Sequence, residues 1–316
     1  MPTKPEFTFR YKVRNWPEYN RALIRRGQLT LWFDEAAVTG WQDVVHGGGR
    51  GRPKCYADTA IEYALVLKCV FHLSLRATQG FLESIAKMMH LYLQIPNYST
   101  VCRRQKSLAV HLPLRMVKDA RHIVIDSTGL KVYGAGEWHV RKHRTTRRRV
   151  WRKRHLGVDE TSKEVVAVEL TPNSVHDGEM LPNLLVMVPD RIDQVSGDRA
   201  YDTEVCYRSI LDRGADPTIL PRRNATLSKG ADPPAWRVAR DGILRQVQKQ
   251  GHYAWRLSSG CTRQSLAENA MYRFKTLLGG RLSARTLENQ QVEAMTKCAV
   301  LNRMAALGLP ESVRVL

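Results

Sequence analysis

The stretch His122-Ile123-Val124-Ile125-Asp126-Ser127-Thr128-Gly129 decides the fold: an apolar, β-branched run stops at a carboxylate followed by small residues. Such a run reads as a buried strand that delivers one acid to the edge of a sheet. The pattern returns at Ile192-Asp193-Gln194-Val195-Ser196-Gly197-Asp198, where Ile192 and Val195 lead to a Gly-Asp pair before a polar turn. Two such strands would set Asp126 and Asp198 side by side. Neighbouring carboxylates repel, so they share a proton or a divalent cation, and hard oxygen ligands favour Mg²⁺ or Mn²⁺.

Working outward, Arg154 to Val158 and Glu164 to Leu170 read as a hairpin beside the first strand, with Asp159 as an acid of its turn. Asp177 is expected to cap a helix running through Leu185. Thr203 to Asp212 reads as another helix, and Pro217 to Leu220 as the last strand. Asp202 competes with Asp198 as the second acid but reads as a helix N-cap. Three strands, helix, strand, helix, strand predicts a mixed α/β sheet with helices on both faces. From Arg222 to Gly260 the chain is basic, with one helical stretch from Pro234 to Gln250. It reads as an insertion that covers DNA or as a plain connection from the sheet to the last helix.

With 316 residues and 43% hydrophobic content the chain can hold a full catalytic core and smaller modules. Its 50 Lys and Arg against 30 Asp and Glu leave a formal net charge of +20, an excess that repels itself unless a polyanion is the partner. No apolar stretch of about twenty residues and no signal-peptide pattern occurs, so a soluble cytoplasmic protein with no membrane partner is expected. The six cysteines are scattered without ligand spacing and read as reduced packing residues.

Residues 1–54 mix basic residues with aromatics and end in His46-Gly47-Gly48-Gly49-Arg50-Gly51-Arg52-Pro53-Lys54. This is read as a basic arm and linker that tracks phosphates, or as a solvated extension. Residues 55–115 read as a helical module. Asp58 would cap a buried helix, Ser74 a second, and Ser99 a third, basic one. Thr100, Arg103, Arg104 and Lys106 lie on the exposed sides of that third helix, the pattern of a helix-turn-helix DNA reader or of a three-helix bundle with a solvated basic face. Between Arg141 and Arg154 nine of fourteen residues are Lys or Arg. Lying close to a candidate metal ligand, the run reads as a DNA clamp centred on Arg147, Arg148 and Arg149.

The helix from about Ser265 to Leu278 carries Glu268, Tyr272 and Lys275 at steps of four and three on one side, with Leu266, Ala270 and Phe274 on another. Taken alone, Glu268 and Lys275 could be a surface pair.

Together, Val124-Ile125-Asp126-Ser127-Thr128-Gly129, Gly197-Asp198-Arg199-Ala200-Tyr201-Asp202 and Ala267-Glu268-Asn269-Ala270-Met271-Tyr272-Arg273-Phe274-Lys275 resemble the DDE transposases of bacterial insertion sequences. The resemblance implies a ribonuclease H-like catalytic domain over residues 116–306, with residues 222–260 an insertion and 307–316 a tail. It implies Asp126, Asp198 and Glu268 as catalytic metal ligands for Mg²⁺, with Mn²⁺ as substitute and two ions in all. Tyr272 and Lys275 would contact DNA. The protein would bind terminal inverted repeats, cleave and join double-stranded DNA at element ends and target, act as a homodimer or larger oligomer, and stay with the nucleoid. One departure is visible: the family places a Tyr and an Arg at set distances before the Glu, whereas here Arg263 is one position off and the Tyr is missing. A metal-dependent nuclease or resolvase on the same fold, and a DNA-binding regulator with an inactive core, are the alternatives.

Overall fold

The computed structural model describes residues 10–41, 56–117, 119–132, 151–229 and 232–315. Strand β1 (Arg10–Val13) pairs antiparallel with β8 (Ser312–Val315), so among the described residues the two ends of the chain meet. The other six strands form one sheet. Its centre is β2 (Arg121–Val132), flanked on one side by the antiparallel β3 (Trp151–Asp159) and β4 (Val165–Pro172). On the other side lie β5 (Ile192–Gly197) and β6 (Asp216–Ile219), both parallel to it. The two-residue β7 (Arg281–Leu282) joins the far end of β2, at Lys131 and Val132. The order β4-β3-β2-β5-β6 is the expected ribonuclease H-like mixed sheet, three antiparallel strands followed by two crossover strands.

Alternation along β2 feeds two cores. Val124 and Leu130 join a layer containing Leu156, Val158 and Val168 of the sheet, Ala270 and Phe274 of helix α10 (Ser265–Leu278), and Ala294, Cys298 and Leu301 of α11 (Leu287–Leu307). Ile123 and Ile125 face the opposite layer, with Leu184 and Leu185 of α7 (Leu181–Val186) and Cys206, Tyr207 and Ile210 of α8 (Glu204–Asp212). Ile243, Val247 and Trp255 of α9 (Ala235–Ser258) complete that layer. Within the basic stretch read as an insertion or a connection, residues 235–258 are therefore a structural helix. It continues past Gln250 through a kink at Gly251, where φ is +82°.

The first core does not stop at the six-stranded sheet. It runs on through Ile61 and Leu65 of α4 (Asp58–Val70), Leu82 of α5 (Leu75–Met88) and Val101 of α6 (Tyr98–Gln105) to Trp32 and Trp41. The N-terminal region therefore differs from a basic arm. Residues 16–40 form α1 (Trp16–Arg25), α2 (Leu29–Trp32) and α3 (Glu35–Gly40), and both tryptophans are fully buried. The Trp32 indole donates to the Arg26 carbonyl at 2.8 Å and that of Trp41 to the Gln94 carbonyl at 2.8 Å. Burial of such side chains, worth about 1.5–3 kcal/mol each, outweighs the solvation that an extended arm would keep. Nor are residues 307–316 a free tail, because 312–315 pair with β1. The linker at 46–54 lies outside the described residues.

Several helix starts depart from expectation. Ser74 does cap α5, accepting from the Ala77 amide at 3.2 Å. Asn97, not Ser99, caps α6. Asp58 is the first residue of α4 rather than its cap, and it receives the Arg104 guanidinium. Asp177 opens a 3-10 turn (Asp177–Met180) whose cap position is His176. Thr203 caps α8, leaving Asp202 for another use. No helix among the described residues is long and apolar enough to cross a membrane. The five cysteines described are free; four are buried and Cys102 is exposed.

Candidate active site

The β2 to β5 pairing runs in parallel register up to Val124 opposite Ser196. Two residues further along each strand stand Asp126 and Asp198, at the point where the strands part, so the expected juxtaposition follows from the register itself. Asp126 is partly buried on β2 and accepts from the Ser127 amide at 2.7 Å. Asp198 directly follows β5, and its side chain accepts from the Ala200 amide at 2.9 Å, which holds the 3-10 turn Arg199–Tyr201 in place. Glu268 projects exposed from the first turn of α10, where the helix macrodipole favours a negative charge.

These acids act on one another. The Asp126 carboxyl is pushed up to about 6, first by burial and then by the negative charges of Asp198, Glu268 and Asp177, against the hydrogen bond from Ser127. A cation would relieve that repulsion, and three hard oxygen donors suit Mg²⁺ or Mn²⁺. Among the described residues no group of three His, Cys, Asp or Glu is drawn together tightly enough to hold a metal ion. The site thus has the charge and donor chemistry for a cation without closed coordination geometry.

Lys275 lies two turns beyond Glu268 on α10, and its ammonium donates to the Thr128 hydroxyl at 2.7 Å. Thr128 is two residues past Asp126, hence on the same face of β2. Burial, and then the charge of Arg154, lower the Lys275 ammonium from its usual value. The face carrying the first acid therefore also carries a cation. Tyr272 is 69% exposed beside them.

The other expected DNA contacts divide. Arg103 and Lys106 are exposed on α6, and Thr100 is half-buried and receives the Arg103 guanidinium at 3.4 Å. Arg104 instead folds back on the Tyr56 carbonyl and the Asp58 carboxylate, tying α6 to the start of α4. Residues 89–97 separate α5 from α6, a connection longer than the three or four residues of a helix-turn-helix. Arg147, Arg148 and Arg149 lie outside the described residues.

The last part of the basic run is internal. The Arg152 side chain donates to Gln290 at 2.8 Å, and Lys153 pairs with Asp177 at 3.2 Å. Arg154 is fully buried with its guanidinium 3.5 Å from the centre of the Phe274 ring. Arg263 pairs with Glu160, which also receives His122, so it braces the start of β2 rather than the acids. Asp159 is the turn acid expected, accepting from the Ser162 amide at 2.8 Å. Asp202 is buried against Arg240 at 2.8 Å and is not part of the carboxylate cluster acting on Asp126.

What the sequence did not reveal is Asp177. Its turn packs against that of Asp198, and it is a third carboxylate acting on Asp126, after Asp198 and Glu268. An acid opening a helical turn after a strand looks like a cap, and no periodicity marked it otherwise.

Residues 24–135 and 118–303 match two family models, both described as transposase DDE domain. Among solved structures, a piggyBac transposase synaptic complex with hairpin DNA is 10% identical, with 89% of this chain and 73% of that chain covered and a TM-score of 0.37.

Proposed function

The chain belongs to the transposase DDE domain family, and from that premise we propose that it binds the terminal inverted repeats of an insertion sequence and catalyses their cleavage and joining to target DNA. The observation that carries this reading is the convergence of Asp126, Asp198 and Glu268, held by a strand, a strand end and a helix, with Lys275 bonded to Thr128 on the Asp126 face. Asp126, Asp198 and Glu268 would hold Mg²⁺, two ions in all, with Mn²⁺ as a substitute. Metal bound there supplies Lewis-acid activation of a hydroxyl and stabilisation of the leaving oxygen at phosphorus.

The chain's own residues do the positioning. Lys275 holds the phosphate next to the one being cut, and Tyr272 lies against the same strand. Arg103, Lys106 and Thr100 on α6 contact the terminal repeat, whereas Arg147, Arg148 and Arg149 clamp the backbone without regard to sequence. No covalent enzyme intermediate is required. Residues 116–306 are proposed as the catalytic domain, resting on a helical region that shares its core, and the active form on DNA as a dimer or larger assembly.

Incubation with labelled terminal-repeat DNA, a target plasmid and Mg²⁺ tests the reading. Joined product supports a transposase. Cleaved product without joining would indicate a nuclease or resolvase, and bound DNA alone a regulator; either overturns it.

A further inference from the structure

Beside the three acids lies a group of polar atoms that the reading above leaves unused. Tyr201 closes the turn that Asp198 begins, and it is 2% exposed. Its ring packs so closely on Gly197 that a Cβ there would come within 3.0 Å of it. Its hydroxyl nevertheless has no hydrogen-bond partner among the described residues, and the largest charges that act on it are those of Asp177, Asp126 and Asp198, with Cys206 after them. Asp177 is fixed just as firmly. A Cβ on the adjoining Gly178 would stand 3.3 Å from the Ala200 carbonyl, so the Asp177 turn is seated directly on the Asp198 turn. Lys153 lies 3.2 Å from Asp177 Oδ1, and Nδ1 of the fully buried His155 lies 3.6 Å away. Both that nitrogen and Asp177 Oδ1 lack a hydrogen bond. The Tyr201 hydroxyl and His155 Nδ1 are thus left without a hydrogen bond near the pair of catalytic candidates, and Asp177 Oδ1 has only its ion pair with Lys153. Orphaned groups of this kind cost about 1–3 kcal/mol each unless something satisfies them.

We propose that Asp177 and the Tyr201 hydroxyl are positioning residues that grip a water of the divalent cation held by Asp126, Asp198 and Glu268. The inference rests on the reading that those three acids bind a divalent cation. Mg²⁺ gives up its waters reluctantly and is held by few protein ligands, and a bound water offers two protons to acceptors. The Asp177 carboxylate and the Tyr201 oxygen are two acceptors at the right rim. Lys153 offsets much of the Asp177 charge, which suits a water contact better than direct coordination. Burial and the surrounding acids raise the Tyr201 phenol well above its usual value, so it keeps its proton.

The test is Mn²⁺ binding by the full chain without DNA, followed by the resonance of free Mn²⁺. Asp126→Asn should abolish binding. Tyr201→Phe and Asp177→Asn should each weaken it about tenfold, the scale seen for residues that orient metal ligands. Their combination should weaken it by little more than either alone, because both hold one water. With chelator present, Tyr201→Phe should melt no lower than the original protein, since it loses an unpartnered hydroxyl and keeps the ring. Unchanged Mn²⁺ affinity in Tyr201→Phe and Asp177→Asn, with loss in Asp126→Asn, overturns this inference alone. No Mn²⁺ binding that depends on Asp126 overturns it together with the reading on which it rests.

Discussion

Substituting Asp202 by Ala should damage stability far more than removal of a helix cap. One Asp202 oxygen accepts from Arg240 Nε at 2.8 Å and the other from the Arg222 amide at 2.9 Å, and the carboxylate itself is fully buried. Truncation leaves the Arg240 guanidinium, only 18% exposed, without its main partner, and Asp241 at 4.0 Å is a poor replacement. Breaking a buried pair from one side costs about 3–5 kcal/mol, against about 1 kcal/mol for a cap. Asp241 and partial exposure of Arg240 favour the lower figure, and for a chain of 316 residues about 3 kcal/mol lowers the melting temperature by about 4–5 °C. Asp202→Asn keeps the side chain's shape and one of its two acceptors, and should lose about half as much. Scanning calorimetry measures both variants. A fall within about 2 °C for Asp202→Ala would refute the reasoning, because the pair would then be contributing no more than a cap.

Lys275→Ala should reduce cleavage on the order of a hundredfold with Mn²⁺ affinity unchanged, as misplacement by about 1 Å does; full rescue by excess Mn²⁺ would show that Lys275 supports metal instead. Arg104→Ala should lower stability through loss of the Tyr56 and Asp58 contacts, whereas Arg103→Ala should lower preference for terminal-repeat over random DNA; competition binding and thermal melts separate them, and the reverse pattern refutes the assignment. In metal-free protein, Asp126 keeps a proton up to about pH 6 that the unfolded chain loses near pH 4, so its ionisation lowers stability as pH rises through that window. Asp126→Asn should remove a loss on the order of 2 kcal/mol at neutral pH, allowing for solvent screening, and none at pH 4; denaturant titration that finds a constant difference across pH contradicts this. His155 acts in the opposite sense: burial lowers it to about 4, so stability is lost as pH falls from about 6.5 towards 4, and a His155→Gln variant should flatten that limb.

The sheet was legible because β-branched runs ending in an acid leave few alternatives, and extending the β2 to β5 register brings Asp126 and Asp198 together. Helix α10 runs over Ser265–Leu278 as its periodicity required, although Ala267 rather than Leu266 is the fully buried residue of its first turn. The acids before helices were harder to read. Asp58, Asp177 and Asp202 each satisfy the local rule for a cap, yet their partners Arg104, Lys153 and Arg240 lie 24 or more residues away and outcompete a local amide. The same long-range reach turned Trp32 and Trp41 from an arm's aromatics into core, and Arg152, Lys153 and Arg154 from a clamp into internal contacts. Charge density in a sequence marks a polyanion's partner in bulk without telling which cations are already committed inside.

The central claim is that Asp126, Asp198 and Glu268 form one metal-dependent site for joining DNA. Its most direct test is the rate at which a pre-cleaved, labelled terminal-repeat end is joined to plasmid in Mn²⁺ by each single Ala variant, with DNA binding measured by gel shift on the same samples. All three should bind DNA as the original protein does and join none of it, whereas joining at the original rate by any one of them would contradict the account.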